Sequence, residues 1–166
     1  MKRRSALVLI TQAGLASLAV GGCGFKLRGS QNFAFSTIAI MPNPGGALAT
    51  ELRRSFGDAV RVLAPDAPLT DAQVVLDLLQ EQREKVVVGV NSSGQVREFQ
   101  LRIRVKFRVR SREGKELVPD SEIVQQRDIS FNESAVLAKE AEEVLLYRDM
   151  QSDIVQQLMR RLTMVR

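Results

Sequence analysis

The sequence predicts an α+β domain, a two-layer sandwich of about four mostly antiparallel strands with two helices packed on one face. Three observations lead to this prediction. The chain has 166 residues and is 45% apolar, which is enough for one domain with a real core. Residues 98–110 alternate strictly between apolar and polar side chains, as in a strand with one buried face. Residues 133–162 place apolar side chains at helical spacing.

The strand over residues 98–110 organises the prediction, because its two faces differ throughout. Its apolar face holds Phe99, Leu101, Ile103, Val105, Phe107 and Val109. Its polar face carries five cations, which we name the basic ladder: Arg102, Arg104, Lys106, Arg108 and Arg110. At about 3.3 Å per residue the strand reaches about 43 Å, which favours a central place in an antiparallel sheet.

The elements before this strand follow from apolar spacing and turn residues. The pattern predicts a strand over 37–41, a helix over 47–56, a small strand within 60–63 and a long strand over 73–90. The long strand begins apolar on both sides and turns polar at 80–85, so we expect a bulge near that change.

The elements after this strand complete the two layers. Residues 116–131 predict a fourth strand, in which Pro119 is typical of a sheet edge. Asn132 is the expected cap of the helical residues 133–162, which form one helix or two. The buried row of that region is predicted to be Met150, Ile154, Leu158 and Leu162.

The first 22 residues predict a lipoprotein signal peptide. A basic start precedes a mostly apolar stretch over 6–20, which as a helix spans about 22 Å and is too short for a bilayer core of about 30 Å. Small residues then precede Cys23, in the pattern at which lipoproteins are cleaved and acylated. We therefore expect lipidation at Cys23, a tether over 23–35 and a single domain over 23–166. The alternative is an ordinary secretory signal beside an unrelated cysteine.

Composition argues against enzymatic, metal-dependent and nucleic-acid-binding functions. The chain has no His, which removes the commonest general base and metal ligand, and we expect no catalytic residue, metal or cofactor. The formal charge of +5 falls to about +2 once the basic start is removed. Phe99 and Phe107 lie on the face opposite the basic ladder, so no stacking platform accompanies the cations and we expect no nucleic-acid partner.

Several segments carry a resemblance to a known family. They are Cys-Gly-Phe-Lys-Leu-Arg-Gly at 23–29, Arg-Glu-Phe-Gln-Leu at 97–101, Leu-Ala-Lys-Glu at 137–140 and Leu-Met-Arg-Arg-Leu at 158–162. In this order they resemble the mature start, the central strand and the C-terminal helix region of the LptE family of lipopolysaccharide-assembly lipoproteins. The similarity runs through nearly all of the mature chain.

The resemblance implies a partner and a location. It implies a non-enzymatic plug that sits inside the outer-membrane β-barrel LptD, helps that barrel assemble, and helps deliver lipopolysaccharide to the outer leaflet while binding it. Acyl chains on Cys23 would anchor the protein, and Gly24 in place of an Asp favours the outer membrane by similarity to lipoprotein sorting. The alternative function is a generic outer-membrane lipoprotein that binds a small ligand or peptidoglycan.

The resemblance also implies lipopolysaccharide contacts at basic residues near one end of the sheet and helix layers. Lys139 matches one such position. A second position, in the loop between the two long strands, is Ser92 here, and Arg97 is the candidate that would replace it.

The basic ladder needs counter-charges, because cations about 7 Å apart repel each other by roughly 0.6 kcal/mol in water. The flanking strands offer Asp77, Glu81, Glu84, Glu122 and Asp128. A partner's acidic wall and glycolipid phosphates are the other sources. We predict that the ladder is paired within the sheet or faces a partner.

Overall fold

The computed structural model describes residues 32–42 and 44–166. Within these residues, five strands and two helices follow one another as β1 (Thr37–Met41), α1 (Ala47–Phe56), β2 (Arg61–Val62), β3 (Val74–Val90), β4 (Val96–Ser111), β5 (Glu116–Ser130) and α2 (Val136–Leu162). Short 3₁₀ turns precede β3 and α2. The predicted signal peptide, Cys23 and most of the predicted tether lie outside the described residues.

The strands form one mixed sheet in the order β2-β1-β3-β4-β5. Strand β1 is parallel to both β2 and β3, whereas β3, β4 and β5 form antiparallel hairpins. Both helices bury their apolar sides in one core on one face of the sheet, so the predicted α+β sandwich is confirmed. The sheet has five strands where about four were expected, and the difference is the two-residue strand β2.

The sheet is five strands wide at one end and three at the other. Strand β1 pairs with β3 only as far as Asp77, so the rest of β3 is an edge. We name the wide part the compact end, comprising β1, β2, α1, residues 74–78 and residues 150–162. We name the narrow part the distal end, comprising residues 80–99, 129–131 and 136–147.

The expected bulge in β3 lies where the wide part gives way to the narrow one. Leu78 pairs with Phe107 and Gln80 pairs with Lys106, which leaves Leu79 as an extra residue. One added residue reverses which side chains face the helices. Leu76 and Leu78 before the bulge therefore face the helix layer, and so do the polar residues Glu81, Arg83 and Lys85 after it.

The main core lies between the sheet and both helices at the compact end. Helix α1 contributes the predicted stripe of Leu48, Leu52 and Phe56, and ends at Gly57, whose φ is 51°. Helix α2 is one continuous helix of 27 residues, which settles the choice between one helix and two. Its predicted row is fully buried, from Met150 to Leu162.

Among residues 32–42 and 44–166, the other face of the sheet is covered only beside β1 and β3. A small cluster there contains Ala39, Leu63, Ala72 and Val75, under the loop that joins β2 to β3. The basic ladder of β4 lies on this same face, beyond the loop, and carries the polar side chains that alternate with the buried ones.

Candidate functional site

A shallow hollow opens at the distal end, where β3, β4 and the end of β5 meet the start of α2. Its volume is about 60 Å³. Its lining combines cations, carboxylates and apolar groups: Lys85, Phe99, Ile129, Ser130, Phe131, Val136, Lys139, Glu140 and Glu143. The sequence-predicted residue Lys139 is therefore brought together with a second lysine that the sequence patterns did not single out.

Lys139 lies in the first turn of α2 and reaches across to the end of β5. Its Nζ donates to Ser130 Oγ at 3.0 Å and to Glu142 Oε2 at 2.8 Å. Asn132 accepts a hydrogen bond from the Ser134 backbone N–H at 3.0 Å, which fixes the 3₁₀ turn that leads into the helix. The ammonium group is thus held at the rim of the hollow.

Lys85 reaches the hollow from β3 because the bulge turned its side chain to the helix layer. Its Nζ lies 2.6 Å from Glu143 Oε2 and 4.5 Å from the centroid of the Phe99 ring. The ring face attracts the cation. Alternation alone could not find Lys85, since the face it occupies depends on the extra residue Leu79.

Apolar groups surround the two cations. Phe99 and Phe131 form an edge-to-face pair with centroids 5.3 Å apart. Val136, at the start of α2, also lines the hollow and is 38% exposed. Exposed apolar surface beside ammonium groups suits a ligand that carries both hydrocarbon and anionic groups.

A polar seam holds this part of α2 against β3. Its members on the helix, Glu143, Tyr147 and Gln151, recur at four-residue intervals along one side. Tyr147 Oη donates to the Glu84 carbonyl at 2.7 Å, and Arg83 Nη2 donates to Gln151 Oε1 at 2.7 Å. Burial raises the pKa of Tyr147 above its ordinary value, and the charge of Glu143 adds to the rise. Hydrogen bonds therefore help to position this part of α2, in which no side chain before Met150 is buried.

The basic ladder lies on the opposite face, and flanking strands supply most of its counter-charges. Arg102 lies 3.4 Å from Glu84, and Arg104 lies 3.1 Å from Glu122. Within the part of the chain that the structure describes, Lys106 is the one member without a side-chain partner.

Asp77 neutralises the last two members of the ladder. Its Oδ2 accepts from Arg108 Nε at 3.0 Å and from Arg110 Nε at 2.9 Å. Burial acts to raise the pKa of Asp77, but the hydrogen bonds and charges of Arg110 and Arg108 outweigh burial and hold the pKa below its ordinary value of 3.8. The carboxylate is therefore a fixed negative charge in a sheet of cations.

Arg97 and Ser92 lie on the β3–β4 hairpin outside the hollow. The Arg97 carbonyl accepts from the Phe131 backbone N–H at 2.7 Å, so its backbone adjoins the hollow while its guanidinium lies near Gln95 Oε1 at 3.4 Å. Ser92 is exposed in the hairpin turn. The involvement of Arg97 in ligand contact stays a prediction.

The described residues contain no helix with the length and hydropathy to cross a bilayer, and no group of three or more metal-binding side chains.

Comparison with known proteins points to one family. The sequence model of the family described as "LptE: Lipopolysaccharide-assembly" matches residues 35–162. An LPS-assembly lipoprotein LptE of Yersinia enterocolitica is 28% identical over 166 residues, covering 95% of this chain and 76% of the relative. An LPS-assembly lipoprotein LptE of Photorhabdus laumondii is 29% identical over 170 residues, covering 95% of this chain and 86% of the relative.

The fold has a solved counterpart as well. The solution structure of lipoprotein B from Nitrosomonas europaea superposes with a TM-score of 0.72 at 34% identity, covering 84% of this chain and 90% of that chain.

Proposed function

The chain belongs to the LptE family of lipopolysaccharide-assembly lipoproteins, and from that premise we propose that it is a lipid-anchored plug and assembly factor for the outer-membrane β-barrel LptD. In this function the protein performs no catalysis. It helps the barrel assemble and helps move lipopolysaccharide to the outer leaflet, contacting the glycolipid directly.

Anchoring begins with removal of residues 1–22 and acylation of Cys23. The basic start, the short apolar stretch and the small residues before the cysteine support this step. Each buried CH₂ of an acyl chain contributes about 0.8 kcal/mol, so several chains on one residue hold the protein stably. The mature protein is then a tether over 23–35 followed by one domain, facing the periplasm from the outer membrane.

Contact with LptD uses the polar face of the sheet. The open face presents the paired guanidinium groups of the basic ladder and the free ammonium of Lys106. The lumen of a transmembrane barrel is lined with polar side chains, so a charged, flat face can lie against it without exposing apolar surface. Cross-strand pairing keeps the cations at fixed positions, which favours a defined docking geometry.

The observation that carries the lipopolysaccharide contact is the hollow itself, where Lys139 stands beside exposed apolar side chains. Lipopolysaccharide has phosphate groups next to acyl chains, and a lysine ammonium forms strong charge-assisted hydrogen bonds with phosphate. Exposed Val136 and the ring pair of Phe99 and Phe131 offer apolar contact within the same hollow. The position of Lys139 agrees with the family resemblance noted in the sequence.

Affinity isolation from detergent-solubilised outer membranes tests the partner. We expect one large barrel protein to be recovered in equal amount with the tagged protein. Depletion of the protein should leave that barrel misassembled. Normal barrel levels and normal surface lipopolysaccharide after depletion would contradict the proposed function.

Lipopolysaccharide binding by variants tests the site. Lys139→Ala should weaken binding several-fold, because the ammonium group at the rim is lost. Lys106→Ala is the matched control, since it also removes one exposed cation but on the opposite face of the sheet. Equal weakening by the two substitutions would indicate unspecific charge attraction and contradict a site at the hollow.

Replacement of Cys23 by Ser tests the anchor. We expect the variant to lose its acyl chains and to leave the outer-membrane fraction. A variant that still fractionates with acylated lipoproteins would contradict anchoring through Cys23.

A further inference from the structure

We propose that Lys85 and Lys139 form a two-cation clamp for an amphiphile with two phosphate groups, and that Glu142 and Glu143 occupy the clamp until such a ligand displaces them. This inference rests on the proposed function and adds to it a second ligand-binding residue and a basis for choosing one lipid over another. It assigns the hollow a preference for the bis-phosphorylated lipid of lipopolysaccharide over lipids with one phosphate.

The two lysines come from different layers, Lys85 from β3 and Lys139 from α2, and both line the same hollow. Phe99 lies under the Lys85 ammonium, and Ser130 accepts a hydrogen bond from the Lys139 ammonium. Each ammonium group is thus held on a fixed support at the hollow, rather than on a free surface chain.

The positive charge of both lysines is offset by neighbouring carboxylates. Each lysine is paired with its own glutamate, Lys85 with Glu143 at 2.6 Å and Lys139 with Glu142 at 2.8 Å. A further carboxylate, Glu140, also lines the hollow. The hollow therefore offers no net positive charge in this arrangement, and an anion gains from it only by replacing the carboxylates.

The strength of these ion pairs and the charge of the ligand determine which anion can replace the carboxylates. Partly exposed ion pairs contribute little net stability, so exchanging a carboxylate for a phosphate costs little. The Glu142 side chain is 49% exposed and can turn into solvent. A phosphate monoester carries about −1.5 to −2 charges near neutral pH and three acceptor oxygens, so it outcompetes a carboxylate, whereas a singly charged phosphodiester has no such advantage.

Lys85 and Lys139 can bind one ligand together. A ligand with two phosphates can release both glutamates in one binding event, and the second contact then forms within the complex at high effective concentration. A phospholipid with a single phosphate can release one glutamate only. The proposed pairing thus selects against the phospholipids that surround a membrane-anchored protein.

Binding measurements with the full mature lipoprotein in detergent test the clamp. The probes are bis-phosphorylated lipid A, monophosphorylated lipid A and phosphatidylglycerol, each in the same detergent. We expect the unaltered protein to prefer the bis-phosphorylated probe. Lys85→Ala should weaken binding of that probe about tenfold, the loss expected for one charge-assisted contact, and should abolish the preference over the monophosphorylated probe. Lys85→Arg should keep most of the affinity for the bis-phosphorylated probe and most of the preference over the monophosphorylated probe.

Glu143→Gln tests the role of the carboxylates. The change keeps the size of the side chain but removes the charge that holds Lys85, so binding of the monophosphorylated probe and phosphatidylglycerol should increase several-fold. The ratio of the affinity for the bis-phosphorylated probe to the affinity for each of the other two probes should therefore fall. Lys115→Ala, in the exposed turn between β4 and β5 at the opposite end of the sheet, should leave all three affinities unchanged.

The outcomes separate this inference from the proposed function. If Lys139→Ala weakens binding but Lys85→Ala and Glu143→Gln change neither affinity nor preference, the clamp is wrong and the lipopolysaccharide site stands. If Lys85→Ala and Lys85→Arg are equally impaired, charge at this position is not the cause and the clamp is again wrong. If the unaltered protein binds none of the probes, direct lipopolysaccharide contact fails together with the clamp.

Discussion

The two halves of helix α2 have opposite surroundings. From Met150 onward, six side chains of the helix are buried in the core. Before Met150 none is buried, and Leu137, Val144 and Leu145 are largely exposed. One uninterrupted helix therefore serves the stability of the domain at one end and presents accessible surface at the other.

Strand β3 changes in the same way along its length. Before the bulge it contributes buried apolar residues such as Leu76, and after the bulge it turns Arg83 and Lys85 toward the helix. Apolar burial contributes about 25 cal/mol per Å² at the compact end, whereas partly exposed ion pairs at the distal end contribute at most about 1 kcal/mol each. The buried core and the candidate site therefore occupy different ends of the same elements.

A pair of leucine truncations in α2 tests most directly whether its two halves contribute differently to stability. Leu158→Ala should lower the free energy of unfolding by about 4 kcal/mol, because it leaves a cavity in a fully buried position. Leu145→Ala, at a position 59% exposed, should change it by less than about 0.5 kcal/mol. Urea titration of the purified protein measures both. Similar losses would mean that the halves do not differ.

Two glycine-to-alanine substitutions compare the loss of stability at two positions where φ is positive, one near each end of the sheet. Gly45 and Gly94 have φ of 73° and 80°, so alanine at either should cost about 1–2 kcal/mol. At Gly45 the added Cβ would also lie 2.6 Å from Ala49 Cβ and 2.8 Å from the Pro42 carbonyl oxygen, whereas at Gly94 it meets nothing within 4 Å. We expect a loss of about 3 kcal/mol for Gly45→Ala, measured by the same titration. Equal losses would show that only φ matters.

Asp77→Asn tests how far charge stabilises the compact end. The carboxylate is 8% exposed and accepts hydrogen bonds from two arginines, so its loss should cost about 2 kcal/mol at neutral pH. Because the folded pKa is below the unfolded value of 3.8, this contribution is complete above 3.8 and is lost as the pH falls through the folded pKa.

Urea titrations at neutral pH and at about pH 3 measure the difference between the Asp77→Asn variant and the unaltered protein, which should shrink in acid. Asp128→Asn is the control, since that exposed carboxylate accepts from Gln100 Nε2 at 3.1 Å and bonds to no arginine among the described residues. A difference that is the same at both pH values would contradict a stabilising charge at Asp77.

The smallest effect is expected within the exposed part of the basic ladder. Arg104→Ala breaks the pair with Glu122 and should cost less than about 1 kcal/mol, because both side chains are partly solvated. A double-mutant cycle with Glu122→Ala isolates the coupling energy. A coupling well above that value would place part of the stability outside the core and weaken the contrast between the two ends.

Local patterns predicted most of the fold. The helix over 47–56 and the one-sided strand over 98–110 follow from spacing, because each buries one face and its period is visible in a short window. The pairing of Lys85 with Glu143 spans 58 positions and depends on one extra residue in β3 and on the rotation of α2. No local pattern carries that information, so half of the candidate site emerged only from the fold.

The hollow lies far along the sheet from the point at which the described chain joins it. The Ser36 backbone N–H donates to Gln73 Oε1 at 2.7 Å, so the segment leading to β1 joins the sheet beside the beginning of β3. From there β3 runs on to the hairpin turn, a length of about 50 Å at about 3.3 Å per residue. Lys85 therefore lies about 36 Å along β3 from the point where residue 36 joins the sheet, so a ligand of the proposed clamp would be bound far from that point.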